Sequence, residues 1–104
     1  MGNLSTHIQG SLVEYDIEYR VHATRRMFQR FIGDDDIERI LEKGQVIEKY
    51  DDFPLPSILL NGQTASGRAL HVVVGVNESE RKLVIITTYE PDPVKWGDSF
   101  SRRL

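Results

Sequence analysis

The sequence predicts an α+β domain in which a short strand and two helices precede a four-stranded, mainly antiparallel sheet. Three observations carry this. Leu70 to Val76 and Lys82 to Glu90 are β-branched, apolar runs on either side of the polar loop Asn77 to Arg81, which is the pattern of a β-hairpin. From Ala23 to Gly44 the apolar residues instead recur at three- and four-residue spacing, in two groups that each close on a glycine. Gln45 to Asp51 and Ser57 to Ala65 read as two further strands between the helices and the hairpin.

Each element follows from its residues. Met1 to Glu14 shows no firm period and reads as a loose leader, with a single domain from 15 to 97 and a polar tail from 98 to 104. Tyr15 to His22 alternates, with Tyr15, Ile17, Tyr19 and Val21 opposed to Asp16, Glu18, Arg20 and His22, as a half-exposed strand does. The first helix places Thr24, Met27, Phe28 and Phe31 on its buried stripe and Gly33 at its stop. Asp35 and Glu38 have the spacing of an N-cap and its capping-box partner for the second helix. Its stripe is Ile37, Ile40 and Leu41, and Lys43 and Gly44 end it. Asp34, Asp35, Asp36 and Glu38 suit the positive end of that helix, which explains them without a metal.

Gln45 to Asp51 alternates as a strand at or near a sheet edge, and Pro54 and Pro56 force an extended loop after it. Ser66 and Gly67 make a two-residue turn that pairs Ala65 with Arg68 and places Gly62 opposite His71, leaving space beside the imidazole. Pairing Val76 with Lys82 across the hairpin puts His71 opposite Thr87, with Tyr89 one diagonal step away on the same face. Beyond Pro91 and Pro93, Trp96 is the one anchor that would lay the tail back over the domain.

The totals narrow the function classes. With 104 residues, 39% hydrophobic and 28% charged, the composition is that of an ordinary globular domain with one core. No apolar run is long enough to span a bilayer, and nothing at the start resembles a secretory leader, so neither membrane insertion nor secretion is expected. Gly2 and Thr6 match the short myristoylation pattern, which arises often by chance. The absence of cysteine removes disulfides, thiolate metal sites and cysteine nucleophiles, and fits a reducing cytoplasm. A net charge of −3 opposes generic attraction to phosphates, yet Arg20 to Arg30 holds four arginines and no acid. His7, His22 and His71 lack metal-ligand spacing, and there is neither a phosphate-cradling glycine loop nor a nucleophile elbow, so no metal or cofactor is expected.

His22-Ala23 before a helix ending Phe31-Ile32-Gly33, an acidic second helix closing on Gly44, the strand LHVVVGV and the ending TTYEP together resemble a small prokaryotic family of unknown function. That family is similar to the BrnT and RelE toxins, compact ribonucleases of toxin-antitoxin pairs. The resemblance covers roughly Tyr19 to Trp96. It implies a RelE-like fold, metal-independent RNA cleavage and an antitoxin partner.

Such cleavage needs a base for the ribose 2′-hydroxyl, a proton donor for the leaving oxygen and cations around the phosphorane. His22, His71 and Tyr89 are the candidate catalytic residues. Arg25, Arg26, Arg68 and Thr87 are the candidate RNA- or phosphate-binding residues. Plainer roles stand beside these: His71 as a packed side chain bonded to Thr87 or Tyr89, His22 as a cap, and the arginines as a solvated helix face. The competing function is a non-catalytic domain binding protein or nucleic acid. It requires an accessible sheet edge or apolar patch without convergent titratable groups.

Overall fold

The computed structural model describes residues 2–51 and 55–103. Pro54 of the expected loop, and the first and last residues of the expected leader and tail, lie outside them. Five strands form one sheet: β1 (Asp16–Tyr19), β2 (Gln45–Tyr50), β3 (Ser57–Gln63), β4 (Ala69–Asn77) and β5 (Lys82–Tyr89), in the order β1-β5-β4-β3-β2. Helices α1 (Val21–Arg30) and α2 (Asp34–Lys43) pack on one face, against β5 and β3 respectively.

The expected four-stranded sheet is thus a five-stranded mixed one. The N-terminal strand joins it, parallel to β5, with Ile17 beside Leu83 and Tyr19 beside Ile85. Four residues carry no local signal of a partner so distant in sequence. Placing β1 and β2 at opposite edges fixes what the helices must do. The chain has to cross four strand spacings, about 19 Å. Two ten-residue helices of about 15 Å each cross that distance and roof the face as they go.

The roofed face is the main core: Leu70, Val72 and Val74 of β4, Leu83 and Ile85 of β5, Ile58 and Leu60 of β3, and Ala23, Met27, Ile37, Ile40 and Leu41 from the helices. The leader, aperiodic in sequence, meets the fold through two 3-10 turns, Leu4–His7 and Leu12–Glu14. Leu4 is fully buried, and the Gly2 carbonyl accepts from the Val46 amide at 2.8 Å. Turns this short have no period to read.

Helix α1 departs from its expected stripe. Ala23 and Met27 are buried, whereas Phe28 is 86% and Phe31 88% exposed. Phe31, not Gly33, ends the helix, in the left-handed region at φ 55°, which costs a non-glycine residue about 1–2 kcal/mol. The Arg68 guanidinium donates to the carbonyls of Arg30 (2.8 Å) and Phe31 (3.2 Å) and holds that end in place. The start of α2 also shifts: Gly33 is its N-cap, and Asp36 accepts from the Gly33 amide at 3.0 Å, in place of the expected Asp35–Glu38 pair. Three consecutive acids make alternative boxes equally legible in sequence.

Registers differ by single residues, with large effects. Thr64 and Arg68 close a three-residue turn in which Gly67 has φ +91°, so Asn61, not Gly62, lies opposite His71. Gly62 faces the helices, where an added Cβ would stand 2.9 Å from Ile40 Cγ1. The missing side chain therefore makes room for a core isoleucine and leaves no space beside the imidazole. In the hairpin, Asn77 pairs with Lys82 and a bulge intervenes between Val73 and Val74, so His71 lies opposite Tyr89. The different turn and the bulge each shift the pairing by one residue. Two shifts restore the parity, and Tyr89, Thr87 and His71 still share a face.

Candidate functional site

The sheet face away from the helices carries His71 and Tyr89, flanked by Glu48 and Tyr50 of β2 and Asn61 of β3. Residues 92–103 fold back across it. Trp96, only 5% exposed, sets its ring edge-on to the imidazole at 4.4 Å and 88°. The Phe100 carbonyl lies 2.8 Å from His71 Nε2, and the Ser99 carbonyl accepts from Asn61 Nδ2 at 2.7 Å. Arg103 closes the segment, donating from Nε and Nη2 to the Glu48 carboxylate at 2.7 and 3.1 Å while its guanidinium lies 4.6 Å over the Trp96 ring. The Tyr50 hydroxyl donates to the same carboxylate.

These contacts assign the tautomer of His71. A carbonyl only accepts, so Nε2 carries the hydrogen. Nδ1 then accepts from the Tyr89 hydroxyl, at 3.2 Å. Burial pushes the imidazole below its ordinary pKa; the Phe100 carbonyl and Glu48 oppose this in part, and Arg103 adds to it. A neutral His71 with 0% exposure and both nitrogens engaged has no lone pair to offer a substrate. Burial likewise raises the Tyr89 phenol, and the Arg103 hydrogen bond lowers the Glu48 carboxyl.

The candidate residues therefore separate. His71 and Tyr89 meet, but inside a closed polar network. Thr87 shares their sheet face, opposite Val73, and Thr88 on the other face donates to the His71 carbonyl at 2.9 Å. Arg68 is engaged at the end of α1 and with Glu90 at 3.3 Å. His22 stands exposed on α1, in the helical layer, with Arg25 and Arg26 one turn further along. Nothing local in the sequence groups Glu48, Tyr50, Asn61 and Arg103; its one signal is the alternation of Gln45 to Asp51, which puts Glu48 and Tyr50 on a shared face.

Helix α1 presents a second arrangement. Val21, Arg25 and Phe28 lie on its outermost face at helical spacing, with Phe31 at its end, and all are exposed. Arg20, Arg25 and Arg26 make no salt bridge among the described residues, whereas Arg30 approaches Glu90 at 3.9 Å. Among the described residues no cluster of histidine and acids is placed to hold a metal ion, and no helix is long and apolar enough to cross a membrane.

Comparison with curated proteins found no match, and comparison with solved structures found none either. The family profile described as "Domain of unknown function (DUF4258)" matches residues 19–90, from the end of β1 to the residue after β5, and the chain belongs to that family.

Proposed function

We propose that this domain is a binding module that takes single-stranded RNA along the outer face of α1, without catalysis by His71. The observation that carries the reading is the coincidence, on α1 and its two flanking residues, of Arg20, Arg25 and Arg26, without acidic partners among the described residues, with the exposed rings of Phe28 and Phe31. Arginine meets phosphate, and an exposed ring offers a base a stacking surface worth about 1–3 kcal/mol. The protein is acidic overall, so attraction has to be local, and α1 is where positive charge is concentrated.

The test is fluorescence anisotropy of a labelled single-stranded RNA 12-mer of mixed sequence at 50 and 200 mM salt. Three phosphate contacts predict a fall in affinity of roughly 15- to 20-fold between these salts. Arg25→Ala with Arg26→Ala should remove most of that slope, and Phe28→Ala should weaken binding about tenfold at either salt. Binding unaffected by all three substitutions would refute the reading.

A toxin-like, metal-independent ribonuclease of RelE-related fold, held by an antitoxin, is the second reading. It is favoured by His22, the one candidate acid-base group exposed beside Arg25 and Arg26. RNA recovered cut from the same titration, and intact with His22→Ala, would replace the first reading by the second.

A further inference from the structure

We infer that the open edge of β1 is a docking site for an extended segment of a partner protein whose residues alternate between apolar and lysine or arginine. This goes beyond the RNA reading and uses different atoms.

Among the described residues no strand pairs with the outer edge of β1. β1 ends the strand order, bonded only to β5 among the described residues. The amides of Asp16 and Arg20 donate inward, to the carbonyls of Arg81 (2.9 Å) and Ile85 (3.1 Å). In a parallel ladder alternate residues bond to the same neighbour, so the amides of Ile17 and Tyr19 point outward, away from β5. An added strand would meet them there.

Side chains on the two sides of that edge define the occupant. On the helical side a groove of about 480 Å³ runs beside β1, lined by Leu12, Val13, Ile17 and Leu41 and rimmed by Glu38 and Glu42. Val13 is 90% exposed above it, which leaves its apolar surface for a partner to cover. On the other side of the sheet stand Asp16 and Glu18, both exposed, with Lys82 3.8 Å from Glu18. Asp34 and Glu38 add their field at Tyr19, whose phenol burial and these acids push up to about 12. An incoming strand therefore places alternate residues over an apolar groove with an acidic rim and the others over Asp16 and Glu18. Valine or leucine suits the first set, and lysine or arginine the second.

The same acids argue against a second copy of this chain. Edge-to-edge pairing of two β1 strands would oppose Asp16 and Glu18 to their equivalents, the arrangement by which charged edges resist self-association. A basic strand reverses the sign of that interaction.

The probe is a labelled seven-residue peptide alternating valine and lysine, with a valine-glutamate peptide as control, titrated into the intact chain. The lysine peptide should bind at least tenfold more tightly than the control, and saturation should slow amide exchange of Ile17 and Tyr19 at least tenfold. Asp16→Lys with Glu42→Lys, both at exposed positions, should weaken binding at least tenfold while the far-ultraviolet circular dichroism stays unchanged. Equal binding of the two peptides, binding without protection of Ile17 and Tyr19, no binding, or a concentration-dependent dimer protected at the same amides would each overturn the proposal.

Discussion

Replacing Trp96 by alanine tests whether residues 92–103 are what closes the network around His71. The ring is almost completely buried against His71 and Arg103. Burying a tryptophan removes about 200 Å² from water, an upper limit near 5 kcal/mol at about 25 cal/mol per Å². The segment can rehydrate as a unit once its anchor is gone, so the loss is capped by its own docking energy, and about 3 kcal/mol is expected. For a domain of this size that lowers Tm by about 15 °C. The second readout is specific to the network. Undocking takes away the Phe100 carbonyl and opens the imidazole to water, so desolvation no longer depresses His71. Its pKa, followed by the C–H proton resonances of the ring, should rise toward 6.5, the ordinary histidine value. A Tm within about 3 °C of the parent, with an unchanged His71 titration, would refute the reasoning.

The same network makes stability fall in acid. His71 is depressed in the fold, so above pH 6.5 it is neutral folded or unfolded and contributes nothing to the slope; below 6.5 the unfolded chain binds the extra proton and stability is lost until the folded pKa is passed. Glu48, also depressed, contributes stability that is lost as pH falls through its folded value. Urea midpoints should therefore drop from pH 7 to 5 and again below, and Arg103→Met should flatten mainly the lower part. Gly62→Ala should cost about 1–3 kcal/mol by denaturant unfolding, because its Cβ would press on the buried Ile40. Phe28→Ser should change stability by less than about 0.5 kcal/mol, while Met27→Ala, one residue away and buried, should cost about 2–4 kcal/mol.

That last contrast marks where local pattern stops being informative. Period and punctuation were enough for both helices and for the strands from Gln45 onward, because each lies in a contiguous run with its own turn signals. They also placed His71 and Tyr89 on one face, since side-chain parity survives an even number of shifts. Which apolar side of α1 would be covered was not in the helix itself: Phe28 and Met27 have equal claim until the sheet arrives, and β5 takes Ala23 and Met27.

By itself, then, the sequence determined an α+β chain with two helices before a hairpin-centred sheet and a basic first helix, because those features depend on neighbours within a few residues. Only the tertiary structure decided that Asp16–Tyr19 pairs with β5 and that the hairpin turn and a bulge together move His71 opposite Tyr89. It also decided that Trp96, Phe100 and Arg103 close over the imidazole. These depend on contacts between distant segments. Whether a histidine is open to solvent depends on what packs against it from the rest of the chain.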